Sequence, residues 1–172
     1  MIPVLSIIGK SNSGKTTFIE KLIPVLIKKG YRIATVKHDR SHGFDFDKEG
    51  KDSWRHKHAG ATVTILSSPK MLALVRDVDK ELTLNEIALR YADNTDLLIA
   101  EGYKEGDHDK IEIAADLAEE DLSCKNDNHV IALIADDKYS LDIPQFKRDD
   151  ISEIAEWIMK KFLISANLRS IL

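Results

Sequence analysis

The sequence predicts an α/β fold of three layers, a mainly parallel β-sheet with helices on both faces, together with an additional β-hairpin. Short apolar runs alternate along the chain with segments of helical periodicity, which is the pattern of right-handed βαβ units. The runs within residues 96–101 and 130–135 are continuously apolar at their centres, as strands covered on both faces are. Ligands of such sheets bind at the C-terminal ends of the strands.

The N-terminal elements follow from local patterns. Residues 3–8 form a short apolar run that is typical of a buried strand. Apolar residues then recur at helical spacing over residues 16–29. We expect Pro24 to kink this helix rather than break it, because the apolar stripe continues on both sides. Residues 32–37 are the second predicted strand.

The middle of the chain predicts one short helix and the hairpin. Residues 53–59 are expected to be helical, with Ser53 as the N-cap. Residues 61–67 and 71–78 have the composition of two strands, joined by a turn at Ser68-Pro69.

The remaining elements complete the sheet and its helical cover. Thr83 and Glu86 have the spacing of a capping box that begins the next helix. Residues 110–115 are a further candidate strand between the two continuous apolar runs. Residues 150–163 close the fold as an amphipathic helix.

Composition limits the class of protein. A chain of 172 residues with 43% hydrophobic residues fits one domain, residues 1–172, with a packed core. The net charge of −4 disfavours a nucleic-acid binder, which would carry a basic surface. No apolar run approaches the roughly 18–20 residues that span a bilayer, and the first residues lack the basic region of a signal peptide. Cys124 is the only cysteine, so we expect a cytoplasmic protein without an intrachain disulfide.

Residues 9–16 match the P-loop pattern, a glycine, four residues and then Gly-Lys-Ser/Thr. The glycines allow a tight turn whose N–H groups face one anion, and the following helix adds its positive end. Lys15 is expected to reach the β- and γ-phosphates, and the Thr16 hydroxyl to ligate Mg²⁺. The sequence therefore predicts a nucleotide-binding, P-loop NTPase-like three-layer sandwich. The predicted nucleotide-binding residues here are Gly9, Lys10, Ser11, Asn12, Ser13, Gly14, Lys15, Thr16 and Thr17.

Two further charged residues are candidates for the same site. A P-loop needs a second Mg²⁺ anchor, and Glu101 fits because it directly follows a buried apolar run. Asp96, which opens that run, is interpreted as a turn or cap residue. Lys10 resembles the extra lysine with which dimerising P-loop ATPases reach the partner's phosphates. A solvated lysine is the alternative interpretation.

The residues alone leave the choice between ATP and GTP open. The segment 36–39 resembles the guanine-reading motif of GTPases, but it follows the second strand, on the phosphate side, so we treat it as a decoy. Asp136 or Asp137, after a late strand, could accept hydrogen bonds from guanine. A solvated turn explains them equally well.

Residues 37–60 contain four of the six histidines. Their spacing is loose for a metal site, which could use His38 and His42. An anion-binding segment is favoured, in which Lys51, Arg55 and the helix beginning at Ser53 lie near the P-loop.

The order of these motifs resembles the molybdopterin-guanine dinucleotide biosynthesis protein B family. The matching segments span residues 1–115, and residues 129–136 continue them. They are the loop of residues 9–17, Lys37-His38, Gly50-Lys51-Asp52-Ser53, Ala59-Gly60-Ala61, residues 96–104 (DLLIAEGYK) and Lys110-Ile111-Glu112.

The resemblance implies a homodimer that binds GTP and Mg²⁺ and hydrolyses GTP weakly at most. It implies an adaptor that assists the guanylyltransferase in joining GMP to molybdopterin, with molybdopterin as a further possible ligand. Any hydrolysis would be slow, because the only candidates for ordering the water are His38 and Asp39.

Two other classes of function remain open from the residues. One is a nucleotide-dependent metallochaperone that uses the histidine segment. The other is a small-molecule kinase or an ATP-dependent ligase of the dethiobiotin synthetase type.

Overall fold

The computed structural model describes residues 2–39, 47–115 and 117–164. The chain divides into two compact units, Met1–His38 with Leu84–Leu172, and Asp39–Thr83. The assignment of residues 1–172 to one domain stays a prediction.

The first unit is built on a six-stranded sheet, and the second contains a two-stranded one. In chain order the strands are β1 (Val4–Gly9), β2 (Ile33–Lys37), β3 (Val63–Ser67), β4 (Leu72–Arg76), β5 (Leu97–Glu101), β6 (Asp109–Ala114), β7 (Val130–Ala135) and β8 (Gln145–Phe146). The larger sheet has the order β2-β5-β1-β6-β7-β8, and all five pairings are parallel. The parallel sheet expected from the alternating pattern is confirmed.

Helices connect and cover these strands. They are α1 (Lys15–Lys28), α2 (Asp52–His58), α3 (Leu84–Tyr91) and α4 (Ile151–Ile158), the last continuing as a π-helical segment, Met159–Ile164. Helix α1 runs unbroken through Pro24. No helix in the described ranges is both long and apolar enough to cross a membrane.

The core lies on both faces of the larger sheet. On one face, α1 and α4 pack on the strands, and Leu22 and Ile154 are fully buried there with Leu97 and Ile99. On the other face, α3 packs against Leu98. Successive side chains of β5 thus enter opposite layers, because side chains alternate along a strand. Each such fully buried side chain contributes about 1.5–3 kcal/mol through burial of apolar surface, and the three-layer prediction is confirmed.

The second unit contains the predicted antiparallel hairpin. Strands β3 and β4 pair from Val63 with Arg76 to Ser67 with Leu72. The Ser68 hydroxyl accepts the Met71 N–H at 3.0 Å, which closes the turn.

The predicted N-cap of α2 is wrong. The helix begins at Asp52 with Lys51 at the N-cap position, so Ser53 lies inside the first turn. Its hydroxyl instead donates a hydrogen bond to Asp47, and this bond is the largest cause lowering the pKa of Asp47. The Ser53 side chain therefore ties the preceding loop to α2 rather than capping the helix.

Candidate functional site

The site forms where three neighbouring parallel strands end side by side. Ile7 of β1 and Lys37 of β2 both pair with Glu101, the last residue of β5. Strand β1 ends two residues later, at Gly9, and the loop to α1 begins there. The order β2-β5-β1 therefore places the glycine loop, residues 9–16, beside the ends of β2 and β5.

The glycine loop has a conformation that other residues would not tolerate at two positions. A Cβ on Gly9 would lie 2.7 Å from the Ile113 carbonyl oxygen and 2.6 Å from the Ser13 hydroxyl. Gly14 has φ +89°, in the left-handed region that favours glycine, and caps α1 through its carbonyl, which accepts the Phe18 N–H at 2.9 Å. Both glycines of the motif are thus required by the backbone itself.

Lys15, the first residue of α1, folds back over the loop. Its ammonium donates to the Lys10 carbonyl at 2.7 Å and to the Gly9 carbonyl at 3.3 Å. Partial burial lowers the pKa of Lys15; the Glu101 carboxylate opposes this shift, and the cations Lys104 and Lys37 add to it. A bound polyanion would stabilise the positive charge of Lys15, because it would offset both the partial burial and the repulsion from the neighbouring cations.

Glu101 accepts a hydrogen bond from Thr16 and forms an ion pair with Lys37. The Thr16 hydroxyl lies 3.0 Å from both carboxylate oxygens, and the Lys37 ammonium lies 3.1 Å from one of them. The carboxylate side chain is 15% exposed. Hydroxyl and carboxylate oxygens are the ligands that Mg²⁺ prefers, so these two side chains form a candidate metal centre.

The chain continues past Glu101 with two residues at positive φ. Gly102 has φ +93° and Tyr103 has φ +53°, which is uncommon for a side chain of this size. The Gly102 N–H donates to the Ile7 carbonyl at 3.0 Å. The Tyr103 ring stacks on His38, with 4.6 Å between the ring centroids. The turn thus aims Tyr103 at the residue that follows β2.

Arg148 is a residue of this site that sequence reasoning missed. It precedes α4, and its Nη1 donates to the Ser13 carbonyl at 2.9 Å, while Nη2 donates to the Ala114 carbonyl at 3.4 Å. Its Nε lies 3.1 Å from the Asp136 carboxylate as an ion-pair contact without hydrogen-bond geometry. The sequence gives little indication of this position, because the preceding strand β8 has only two residues and Arg148 belongs to no motif.

Other predicted residues are less closely connected to the loop. The Lys10 side chain is 60% exposed and lies 3.9 Å from Asp121. Asp39, Lys51 and Arg55 belong to the second unit, and their roles at the site stay predictions. The remaining predicted loop residues, Ser11, Asn12 and Thr17, are exposed.

The alternative metal site is only partly described. His42 lies outside the described residues. Within residues 2–39, 47–115 and 117–164 no three histidine, cysteine or acidic side chains are grouped as a metal ion would require.

The parallel sheet, the glycine loop and the acidic residue ending β5 define an α/β protein with a P-loop NTPase-like fold. The sequence model of the family described as molybdopterin guanine dinucleotide synthesis protein B matches residues 4–136. The chain belongs to this family, which confirms the resemblance noted from its motifs.

Individual relatives agree with this assignment. A molybdopterin-guanine dinucleotide biosynthesis adapter protein of Haemophilus influenzae is 36% identical over 158 residues, covering 91% of this chain and 88% of the relative. The protein of the same description from Escherichia coli is 36% identical over 166 residues, with 93% of each chain covered. The crystal structure of Bacillus subtilis MobB superposes with a TM-score of 0.76 at 30% identity, covering 94% of this chain and 98% of that one.

Proposed function

We propose that this chain is a GTP-binding adapter in molybdopterin-guanine dinucleotide biosynthesis, where it assists the attachment of GMP to molybdopterin. The proposal depends on one observation: Thr16, the last residue of a complete P-loop motif, contacts the Glu101 carboxylate. Family membership supports the pathway, because the relatives are described as adapter proteins of that biosynthesis.

The residues of the glycine loop fit a nucleotide with Mg²⁺. Lys15 would neutralise phosphate charge, and Thr16 with Glu101 would hold the metal ion. The metal ion would supply positive charge to the phosphate oxygens. Lys37 supports the arrangement by holding the Glu101 carboxylate at 3.1 Å.

Guanine is the proposed base. The product named for the relatives contains guanine, so a guanine nucleotide is the natural ligand of the pathway. Asp136 directly follows β7, on the sheet edge where the glycine loop lies, and its carboxylate could accept from the guanine N1 and N2 donors.

Hydrolysis is proposed to be slow at most. Of the two residues that could order a water, His38 and Asp39, the first has its ring stacked on Tyr103. Rapid hydrolysis also requires additional positive charge at the transferred phosphate, such as an arginine supplied by a partner. An adapter, in contrast, needs nucleotide binding rather than turnover.

The proposed partners are a second copy of this chain and the molybdopterin guanylyltransferase, with molybdopterin as a possible ligand. The hairpin supports self-association, because it exposes a concentration of large apolar side chains that soluble monomers rarely leave open. These side chains, with exposed fractions from 37% to 76%, are Ile65, Leu66, Met71, Leu72, Leu74 and Val78. A cytoplasmic location is proposed with these partners.

Two measurements test the proposal. Titration calorimetry should show GTP binding that Mg²⁺ strengthens, with ATP binding more weakly. A pull-down with the guanylyltransferase should retain this chain, and GTP with molybdopterin should increase the amount retained. If the chain does not bind GTP, the proposed nucleotide binding is wrong. If the guanylyltransferase captures the chain equally well without GTP and molybdopterin, the chain acts as a scaffold whose binding the ligands do not control.

A further inference from the structure

Arg148 connects three structural elements through its guanidinium. It reaches Ser13 in the glycine loop, Ala114 at the end of β6 and Asp136 after β7. The side chain is 31% exposed. Since Nη1 and Nη2 each donate a hydrogen bond to a backbone carbonyl and Nε lies in an ion pair with Asp136, the group is held in one orientation rather than extended into solvent.

The contact with Ser13 constrains a specific peptide group. The Ser13–Gly14 peptide is trans, so the Ser13 carbonyl and the Gly14 N–H point in opposite directions. Arg148 binds that carbonyl at 2.9 Å. The Gly14 N–H is therefore directed away from Arg148, and its direction cannot change without breaking this hydrogen bond.

Gly14 also makes room for the arginine. A Cβ at this position would lie 3.2 Å from Arg148 Nη1, tighter than ordinary side-chain contacts. The absence of a side chain at position 14 thus serves both the left-handed backbone and the approach of the guanidinium.

We propose that Arg148 is a positioning residue, which holds the Ser13–Gly14 peptide so that the Gly14 N–H is preorganised to bind a nucleotide phosphate. In a P-loop the backbone N–H groups bind the phosphates. Fixing one of these groups before binding reduces the conformational entropy that the loop loses when the nucleotide binds. The Asp136 carboxylate forms an ion pair with the same guanidinium, 3.1 Å from Nε. This inference rests on the proposed nucleotide binding and adds a residue that acts through the loop backbone.

A selectively labelled amide gives a readout specific to this role. Ser-Gly occurs once in the sequence, at residues 13–14, so carbonyl-¹³C-serine with ¹⁵N-glycine labelling isolates the Gly14 amide. In the unmodified protein, saturating GDP or tripolyphosphate should move its proton resonance downfield through the new hydrogen bond. In Arg148→Ala the shift at saturation should be clearly smaller, whereas a merely destabilising substitution would leave it unchanged.

Affinities for the same probes complete the test. Arg148→Ala should bind GDP and tripolyphosphate about tenfold more weakly, because the Ser13–Gly14 peptide would then have to be ordered during binding. Arg148→Lys keeps a donor for the Ser13 carbonyl and should lose less; it also serves if the alanine variant does not fold. Lys147→Ala removes a neighbouring exposed charge and should leave both affinities unchanged.

Each outcome separates this inference from the proposed function. If the unmodified protein binds neither probe, the proposed nucleotide binding itself is wrong. If it binds both, and Arg148→Ala matches it in affinity and in the Gly14 shift, only the positioning role is overturned. A loss for GDP without a loss for tripolyphosphate would show that Arg148 acts on the nucleoside, directly or through its ion pair with Asp136, which also overturns positioning through the loop.

Discussion

The hydroxyl of Thr16 lies 3.0 Å from both carboxylate oxygens of Glu101, although 85 residues separate them in the chain. The two residues meet because β1 and β5 are parallel neighbours that end at the same edge of the sheet. Thr16 lies in the first turn of the helix that leaves β1, and Glu101 is the last residue of β5. The contact places the two proposed Mg²⁺ ligands together.

Replacing Glu101 by glutamine should remove the effect of Mg²⁺ on GTP binding. Glutamine keeps the size of the side chain but not its charge, so we expect GTP affinity with Mg²⁺ to fall about 10- to 100-fold. Affinity measured in EDTA should match that of the unmodified protein. Glu105→Gln, an exposed residue nearby, is the control. A variant that keeps the full Mg²⁺ dependence would exclude Glu101 as a ligand.

Lys15→Ala should abolish nucleotide binding and preserve the fold. Losing a cation from a phosphate site should weaken GTP binding by at least about 3 kcal/mol, or more than a hundredfold. The melting temperature should change little, because the Lys15 side chain is only partly buried and its two hydrogen bonds go to carbonyls of its own loop. Lys28→Ala, at the other end of α1, should bind as before. Unaltered affinity in Lys15→Ala would contradict the site assignment.

A charge on the apolar hairpin should convert the proposed dimer to a monomer. Leu66 and Leu72 have exposed fractions of 58% and 69% in the single chain, so aspartate at either position should change stability by less than about 0.5 kcal/mol. In a dimer interface the same charge would be buried without a partner. Sedimentation velocity should therefore report a monomer for Leu72→Asp, which shares one face of the hairpin with Ile65 and Leu74, and a dimer for Ser152→Asp, an exposed position of α4. An unmodified protein that sediments as a monomer would refute the proposed dimer.

The pH dependence of stability should reveal the Asp96–Arg32 pair. The hydrogen bond from the Arg32 side chain is the largest cause lowering the pKa of Asp96 below 3.8. A carboxyl whose pKa falls on folding stabilises the fold above its unfolded pKa, and the gain is lost as the pH falls through the folded pKa. Asp96→Asn should thus cost about 1 kcal/mol at pH 7, a modest figure because the pair lies near solvent.

Denaturation at several pH values tests this sign. The difference between Asp96→Asn and the unmodified protein should shrink as the pH drops below 3.8. Asp93→Asn, in the same loop and exposed, should follow the unmodified protein throughout. A difference that stays constant down to low pH would assign the effect to packing instead of charge.

Local patterns were sufficient for most elements and for the loop chemistry. The continuous apolar runs of β5 and β7 predicted buried strands because only a strand covered on both faces leaves no position for polar side chains. The motif of residues 9–16 predicted its own glycines, since a tight anion-binding turn excludes side chains at those positions. The short helix was located correctly, but its N-cap was not, because the Ser53 hydroxyl bonds to Asp47.

Contacts between distant segments were not predictable in the same way. Asp96 was interpreted as a turn or cap residue, whereas its carboxylate binds Arg32 across the neighbouring strand ends. Arg148 looked like an ordinary loop charge, and only the packing of the segment between β8 and α4 places it on the Ser13 carbonyl. These contacts depend on the order of the strands in the sheet, and residues adjacent in the sequence do not specify that order.

The sequence by itself determined the type of fold, the phosphate-binding motif and the family. These depend on periodicity and on residues adjacent in the chain, which specify backbone conformation directly. The tertiary structure decided which distant side chains meet at the sheet edge, among them Glu101 with Thr16 and Arg148 with Ser13. Such contacts depend on the order of the parallel strands. That order is established only when the strands and helices pack their apolar faces against one another.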